Sequence, residues 1–367
     1  MKVKNPIFVV DEGKARQNIK KMASKARQSG VVFRPHFKTH QSIGIGEWFK
    51  DEGVEAISVS SMGMARYFAK AGWRDISLCV PVNPNGLDDI LALASRVNLH
   101  VLVESEEIGR LLAKSSTSLH AWIEVDVGYR RSGIPCHHRE KLERVARILD
   151  NANHVSFQGI LTHAGHAYHV RGKQRLRKVY DGAIASLAEA RSHLLDAGIS
   201  HCQVSYGDTP TCSIVDSFEG IDEIRPGNFI FYDLTQAWLG SCTEEDISSA
   251  VACPVIAKYP ERGEFIIHGG GIHLSKEKLA GEKGAPDHHG KVCLLGENSA
   301  SWTSPVPGVH VIDVSQEHGK VNAPLEFINR INLGDTMFVL PVHSCYAANL
   351  HEKYHTIAGK HLSSYHV

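Results

Sequence analysis

The stretch Phe33-Arg34-Pro35-His36-Phe37-Lys38-Thr39-His40 decides how this chain is interpreted. It follows the short apolar run 31–33, which is typical of the end of a buried strand, and it precedes residues 41–51, which have the pattern of a helix. Lys38 therefore lies at a strand-to-helix turn, the edge where catalytic groups gather in a barrel of alternating strands and helices. A desolvated lysine there can form a Schiff base with an aldehyde cofactor, whereas the alternative is a solvated loop lysine.

Short β-branched runs alternate with longer helical stretches over the first two thirds of the chain. The eight apolar runs are 31–33, 56–59, 76–81, 100–103, 120–127, 155–162, 201–206 and 221–230, and the helical stretches include 62–71, 105–114, 141–151 and 172–198. This alternation predicts an α/β fold with a (β/α)8 TIM-type barrel. An open doubly wound sheet is the alternative, but the Gly-rich dinucleotide turn that it typically has after its first strand is absent from the sequence.

The sequence pattern changes after about residue 245. The runs 251–257, 264–268, 292–295, 309–314 and 336–341 are typical of short strands separated by Gly-, Pro- and Asp-rich turns. We therefore predict a barrel over residues 11–240 and a C-terminal mainly β domain over residues 241–367, which residues 1–10 join. The motif His268-Gly269-Gly270-Gly271 resembles a lipase oxyanion-hole motif, but no G-x-S-x-G elbow accompanies it, so we interpret it as a turn.

Composition narrows the functional classes. The 367 residues are 43% hydrophobic and 22% charged, and 40 Lys and Arg balance 40 Asp and Glu, so no basic excess indicates nucleic acid as a partner. The apolar N-terminal segment is too short for a signal peptide, and no apolar run is long enough for a membrane span. Eight cysteines without a CxxC pair are typical of reduced cytoplasmic thiols, and four of them lie in apolar runs and are expected in the core, namely Cys79, Cys202, Cys253 and Cys293.

Polar groups cluster where the predicted strands end. Residues 124–133 bring carboxylates and arginines together, although a salt-bridged loop is the alternative. After the sixth strand, His163, His166 and Tyr168 surround Gly165, and this density favours a site over isolated structural histidines.

The loops after the seventh and eighth strands have the pattern of a phosphate site. Thr209 and Thr211 lie at a predicted helix start, and Gly227 and Asn228 follow the last strand of the barrel. Hydroxyl groups and backbone N–H groups can hold a phosphate there, and phosphate sites in such barrels often use these two loops. An ordinary turn is the alternative.

His343 and Cys345 have the spacing of a metal pair. If residues 341–350 are extended, side chains two apart share a face, and imidazole with thiolate suits Zn²⁺. The alternative is a core cysteine beside a hydrogen-bonded histidine. His351 and His355 are four apart on a predicted helix, and a solvent-facing helix is favoured over a second metal pair.

Together these residues resemble the fold-type III pyridoxal 5'-phosphate enzymes built like alanine racemase, and most closely the D-serine dehydratase and D-threonine aldolase family. The resemblance covers nearly the whole chain and is most specific at 34–40, 163–168, 226–228 and 343–345. It implies that Lys38 forms the Schiff base with pyridoxal 5'-phosphate and that Tyr168 contacts the cofactor ring. It further implies that the phosphate is held by Thr209 or Thr211 with Gly227 and Asn228, that the metal is bound by His343 and Cys345, and that the protein is a homodimer.

The chain departs from the family pattern at Leu161, where some members have a second tyrosine, seven residues before the one matching Tyr168, so the resemblance implies no second ring contact there. A second position bears on which reaction the resemblance implies. The aldolases tend to carry a carboxylate where this chain has Cys345, whereas the dehydratases carry cysteine. The resemblance therefore implies a lyase that eliminates water from a D-3-hydroxy amino acid, giving a keto acid and ammonia, with Lys38 as the base for the α-proton.

Other reactions stay open from the sequence. A D-threonine aldolase would use His163 or His166 as a base and could use Mn²⁺ or Mg²⁺. An amino-acid racemase and a non-enzymatic pyridoxal-phosphate carrier are further alternatives. D-serine, D-threonine and D-3-hydroxyaspartate all offer a β-hydroxyl, so the partner is a small D-amino acid whose side chain the sequence leaves open.

Overall fold

The computed structural model describes residues 1–281, 284, 286–298 and 300–366. The chain forms two compact units. We call residues 20–38 and 49–227 the barrel unit, and residues 1–19, 39–48 and 228–366 the sheet unit. The domain boundaries that we place from the sequence at 10/11 and 240/241 stay a prediction.

Helices and strands alternate through most of the chain. The strands are β1 (Ile7–Val10), β2 (Val32–Phe33), β3 (Ala56–Val59), β4 (Asp75–Pro81), β5 (Asn98–Val103), β6 (Leu119–Asp126), β7 (Ile134–Pro135), β8 (Val155–His163), β9 (Gln203–Gly207), β10 (Glu223–Ile224), β11 (Ser249–Tyr259), β12 (Glu264–His268), β13 (Gly290–Cys293), β14 (His310–Val314), β15 (His318–Asn322), β16 (Thr336–Pro341), β17 (Lys353–Thr356) and β18 (His361–Ser363). The helices are α1 (Glu12–Gln28), α2 (Ile43–Lys50), α3 (Met62–Lys70), α4 (Leu87–Ala94), α5 (Glu106–Ala113), α6 (Arg139–Asp150), α7 (Lys173–Asp196), α8 (Thr209–Ile214), α9 (Leu234–Leu239), α10 (Gly271–Leu274), α11 (Leu325–Arg330) and α12 (Ser344–Asn349).

Eight parallel strands form the centre of the barrel unit, in the order β2-β10-β9-β8-β6-β5-β4-β3. A parallel bridge between His36 and Ser58 links the first and last of them. There the Phe37 N–H donates to Ser58 O over 2.8 Å, and the Ser58 N–H donates to Pro35 O over 2.9 Å. The predicted TIM-type barrel is confirmed, and Lys38 directly follows the segment that completes the ring.

The last barrel strand is shorter than the sequence predicts. We expect a strand over 221–230, but β10 covers only Glu223–Ile224, and Asn228–Ile230 is a short 3-10 helix. Phe229 and Ile230 are fully buried. The apolar run therefore reflects burial in a helical turn and not continuation of the strand.

The long helix α7 follows directly from its sequence pattern. Its buried residues recur at three- and four-residue steps, so that one face is apolar: Leu176, Tyr180, Ala183, Leu187, Ala190 and Leu194. That face packs toward β8 and β9. Burying each large apolar side chain contributes about 1.5–3 kcal/mol, which makes this face the main reason that the segment is helical.

The sheet unit is mainly β, as the sequence predicts, and most of its strands pair in antiparallel. Strands β11, β12, β15, β14, β13 and β16 pair in this order, and β16 pairs back with β11, so the six strands form a closed ring. Strand β1 extends the sheet beyond β11, in antiparallel register with it, and pairs in parallel with β17 on its other side. Strand β18 pairs with β17 and is the last strand of the sheet.

The structure can be compared with the expectations for the cysteines and for membrane-spanning helices. Cys202, Cys253 and Cys293 are buried, as predicted, and Cys79 is half-buried and packs against the buried residues Leu102, Trp122 and Leu161. No disulfide joins cysteines within the part of the chain that the structure describes. Among the same residues, no helix combines the length and apolar character required to cross a bilayer.

A buried ion-pair network in the barrel unit involves Arg34. Its Nε donates to Glu223 Oε2 over 2.5 Å, and its Nη1 donates to Asp75. Asp75 Oδ1 lies 3.1 Å from His100 Nε2. Burial favours the neutral form of Arg34, but the two carboxylates outweigh burial and raise its pKa.

Arg34→Met should destabilise the protein by about 3–5 kcal/mol, because it leaves buried Glu223 without its charged partner. Urea unfolding at pH 7 measures this. The control is Arg110→Met, which removes only an exposed pair with Glu106 and should cost less than about 0.5 kcal/mol. Equal losses in the two variants would contradict a structural role of the network.

Candidate active site

Lys38 follows a buried segment of the barrel unit. Phe37 is fully buried, with its ring centroid about 5 Å from the rings of Phe49, Phe68 and Trp73. The Lys38 N–H donates to His36 Nδ1 over 3.4 Å, so the backbone of the lysine is held while its side chain is exposed. Of the two alternatives from the sequence, the structure has the solvated lysine.

His163 ends strand β8 and lies in the electrostatic field of Lys38. Its Nδ1 is 2.7 Å from Gly207 O, which can only accept, so Nδ1 carries the proton and Nε2 keeps a lone pair. Burial, followed by the charges of Lys38 and Arg131, lowers the pKa of His163 to about 3. The ring is therefore neutral at physiological pH, as a proton acceptor must be.

His166 and Tyr168 occupy the 3-10 segment Gly165–His169 and lie in different places. Tyr168 is half-buried, with its ring centroid 6.3 Å from that of His163. His166 instead lines a groove of about 450 Å³ with Val170 and residues of α7. The structure thus brings Tyr168 close to His163 and does not place His166 with them.

The two predicted phosphate loops meet at one hydrogen bond. Asp208 caps helix α8, whose first residue is Thr209, as the sequence predicts for a helix start. Thr209 Oγ1 accepts the Gly227 N–H over 3.3 Å, which joins the loops after β9 and β10. Thr211 is buried, and its hydroxyl lies 2.8 Å from both Asp208 Oδ2 and the Tyr206 hydroxyl. Of the two threonines, Thr209 is therefore better placed for a phosphate.

Arg225 is a buried cation of the barrel unit to which sequence reasoning assigned no role. Its Nε donates to Ser205 Oγ over 2.7 Å and its Nη2 to Thr162 O over 2.6 Å. It approaches β9 closely because Gly207 has no side chain: a Cβ there would lie 3.0 Å from Arg225 Cβ. The signal that could have revealed it is a charged residue within the apolar run 221–230.

His343 and Cys345 lie at a helix start of the sheet unit, not in an extended segment. His343 is the N-cap of α12, so the premise that strand geometry aligns the two side chains is wrong. Asp233 holds this turn, because its Oδ2 accepts the Ser344 N–H over 2.9 Å and lies 3.2 Å from His343 Nδ1. Asp233 is fully buried and is a residue that sequence reasoning missed.

Cys345 completes this cluster in the sheet unit. Its Sγ lies 3.3 Å from Thr39 Oγ1 and accepts from Asn228 Nδ2 at 3.5 Å. Asn228 Nδ2 also donates to Asp233 Oδ2 over 2.8 Å. The side chain of Asn228, predicted to hold a phosphate, is thus committed to the His343–Cys345 cluster, which leaves only its backbone for that role.

The charges around His343 and Cys345 favour binding of a metal cation. Burial alone lowers the pKa of His343, but the Cys345 thiolate and the Asp233 carboxylate outweigh it and raise the pKa to about 11. The surroundings of His343 therefore favour a positive charge at this position. Neutral imidazole and thiolate are the donors that Zn²⁺ prefers, so a borderline divalent cation can supply the positive charge here in place of the histidine proton.

The second histidine pair predicted near this segment does not form on a helix. Helix α12 ends at Asn349, so His351 lies beyond it, and His355 lies in strand β17. The prediction that these two residues share a helix face is therefore wrong.

His40 should lower the free energy of unfolding of the protein as the pH falls. Burial lowers its pKa to about 3, and its Nδ1 accepts the Ser42 N–H over 3.1 Å. Below pH 6.5 the unfolded chain protonates first, so this histidine should remove about 1.4 kcal/mol of stability per pH unit down to about pH 3. Asparagine keeps the acceptor and does not titrate. Urea unfolding at pH 6, 5 and 4 should therefore give a shallower slope for His40→Asn than for the wild type, and equal slopes would contradict the assignment.

Comparison with known proteins supports the relationship that the motifs indicate. The family model described as the alanine racemase N-terminal domain matches residues 10–234, and the model described as a putative serine dehydratase domain matches residues 248–357. The D-threo-3-hydroxyaspartate dehydratase of Delftia sp. (strain HT23) is 28% identical over 93% of this chain and 90% of its own length. The D-serine dehydratase of Dictyostelium discoideum is 27% identical over 96% of this chain and 93% of its own length.

A solved structure shows the same architecture. The metal-free form of a cysteine-to-alanine variant of D-threo-3-hydroxyaspartate dehydratase superimposes with a TM-score of 0.92 at 26% identity, covering 100% of this chain and 98% of that one. The predicted resemblance to D-serine dehydratases and the predicted fold are confirmed. Because the first model alone matches more than half of the residues, this chain belongs to the alanine racemase N-terminal domain family.

Proposed function

We propose that this chain is a pyridoxal 5'-phosphate- and metal-dependent lyase that eliminates water from D-3-hydroxy amino acids, giving a keto acid and ammonia. The observation that carries the proposal is the His343–Cys345 pair held by Asp233, because it offers a metal two side-chain ligands and leaves positions for water and substrate. The relatives named as dehydratases support this reading, as does the metal-free form of a cysteine-to-alanine variant in that family.

Pyridoxal 5'-phosphate fits the groups of the barrel unit. Lys38 offers an exposed amine for the Schiff base. The Gly227 N–H fixes the Thr209 hydroxyl between the loops after β9 and β10, and this hydroxyl can donate its own proton to the phosphate. Tyr168 lies near His163, where an aromatic ring can contact the cofactor ring. When bound, the cofactor supplies an electron sink for negative charge at Cα.

The residues of the chain then supply proton transfer and orientation. The Lys38 amine takes the α-proton of the substrate. His163 stays neutral and is fixed by Gly207, so its Nε2 can accept a proton or a hydrogen bond. Arg225 adds a fixed positive charge to the same unit through its bonds to Ser205 and Thr162.

A divalent cation fits the donors in the sheet unit, and Zn²⁺ is the ion that we propose. It would be held by the imidazole of His343 and the thiolate of Cys345, and it supplies Lewis-acid stabilisation of the leaving hydroxide. Asp233 orients the imidazole through Nδ1, in the manner of the carboxylate–histidine pairs of zinc sites. Two residues that contact Cys345 are chain neighbours of proposed cofactor-binding residues: Thr39 directly follows Lys38, and Asn228 directly follows Gly227.

Two further properties belong to this proposal. The family resemblance supports a homodimer, which sedimentation velocity tests. The cysteines without disulfides in the described residues support a reducing, cytoplasmic location, which fractionation of cells tests.

Product analysis tests the reaction. The purified protein, loaded with cofactor and Zn²⁺, is incubated with D-serine, D-threonine and D-threo-3-hydroxyaspartate, and keto acid, ammonia and glycine are assayed with and without chelator. Chelator-sensitive keto acid and ammonia in equal amounts are the expected result. Glycine with an aldehyde would establish an aldolase instead. Metal-independent exchange of the α-proton would indicate a racemase, and absence of turnover with bound cofactor would indicate a carrier.

A further inference from the structure

Two histidines and a glutamate form a cluster in the sheet unit that the proposed reaction does not use. His268 Nε2 lies 3.2 Å from Glu317 Oε2, and His273 Nε2 lies 4.0 Å from the same oxygen. One ligand atom from each of the three residues lies within 4.8 Å of the others. All three side chains are half-buried, and we call them the His268 cluster.

The glycine run that we interpret as a turn brings these residues together. Strand β12 ends at His268, and α10, which begins at Gly271, carries His273. The Gly269 N–H donates to Glu317 O over 2.9 Å, and a Cβ on Gly270 would lie 2.3 Å from Gln316 O. Glycine is therefore required there, because the backbone packs directly against the turn that carries Glu317.

The position of His273 is fixed from a second direction. His351 is buried, and its Nε2 donates to His273 O over 3.1 Å. The imidazoles of His268 and His273 are nearly perpendicular, with centroids 5.4 Å apart. The three donors thus sit on backbone that hydrogen bonds hold in place, which a binding site requires.

The donor set is that of a divalent transition metal. Around a tetrahedral ion with bonds of about 2.1 Å, donor atoms stand about 3.4 Å apart, close to the spacing of His268 and Glu317 here. Two neutral imidazoles and one carboxylate suit Zn²⁺, Co²⁺ or Ni²⁺ and leave one position for water.

We infer that the His268 cluster is a second divalent-metal site, distinct in residues and donor type from the His343–Cys345 pair. It binds one ion through nitrogen and oxygen, without sulfur. The bound ion ties the end of β12 and helix α10 to the turn before β15.

Cobalt binding tests the inference and separates it from the proposed function. The metal-free protein with its cofactor is titrated with Co²⁺, and bound metal is counted by elemental analysis while the absorption spectrum is recorded. We expect two equivalents in the wild type, one of which shows thiolate-to-cobalt absorption. His273→Ala and Glu317→Gln should each lose one equivalent and keep the thiolate absorption.

Matched variants complete the design. Glu245→Gln removes an exposed carboxylate of the same unit and should keep both equivalents. Cys345→Ala should lose the thiolate absorption and keep the equivalent of the His268 cluster. The inference is overturned if folded His273→Ala and Glu317→Gln bind as many equivalents as the wild type. If the wild type shows no thiolate absorption but still loses its metal in these two variants, the proposed metal pair fails and the His268 site stands.

Discussion

Lys38→Ala should lose the absorbance of the cofactor–lysine Schiff base and at least about 10⁴-fold in kcat/KM for the D-3-hydroxy amino acid. The variant removes both the only side chain proposed to bond the aldehyde and the proposed base for the α-proton, and general-base catalysis alone contributes about 10²–10⁴-fold. Absorption spectra of the cofactor-loaded protein and initial rates of keto-acid formation measure the two losses.

The variant should nevertheless fold, because the Lys38 side chain is exposed and its backbone contact with His36 does not need the amine. Lys70→Ala, which removes an exposed lysine from helix α3, is the matched control and should keep spectrum and rate. If Lys38→Ala retained both the absorbance and the activity, the central assignment of the barrel site would be wrong.

Cys345→Ala should lose tight Zn²⁺ binding and about 100-fold or more of the keto-acid rate while it keeps the cofactor. The thiolate is one of two proposed protein ligands, and even residues that only orient a ligand contribute about 10–100-fold to metal affinity or activity. Elemental analysis, the cofactor spectrum and the rate at saturating Zn²⁺ measure these effects.

Cys242→Ala is the control for loss of a half-buried thiol in the sheet unit, and it should keep metal and rate. Parallel loss of cofactor and metal in Cys345→Ala would indicate that Cys345 is a structural residue. Full activity that no longer responds to chelator would contradict a metal at this pair.

Much of the barrel could be predicted because its signals are local. Each buried parallel strand is a short β-branched run, and each following helix has its own apolar periodicity, as in α7. The error at residues 225–230 has the same origin. An apolar run shows that Phe229 and Ile230 are buried, but not whether their backbone is a strand or a helical turn.

The candidate site was harder to predict because distant residues determine its geometry. Helix α12 has no local cap, since Asp233, which is 111 residues away from Ser344, accepts the first N–H of the turn. No pattern within residues 341–350 could therefore distinguish a helix start from a strand. Asn228 is a similar case. Its position in the loop after the last barrel strand predicts a contact with phosphate, but its side chain donates a hydrogen bond to Cys345 Sγ instead.

Strand β1 has a consequence for how the chain folds during synthesis. Both neighbours that satisfy its backbone, β11 and β17, lie more than about 230 residues later in the chain and are therefore synthesised well after it. Until then, Ile7–Val10 is an apolar strand with two open edges, and such edges pair readily with other chains. We therefore expect the early chain to depend on chaperones, and refolding from urea to include a slow, concentration-sensitive phase that ends when β17 docks.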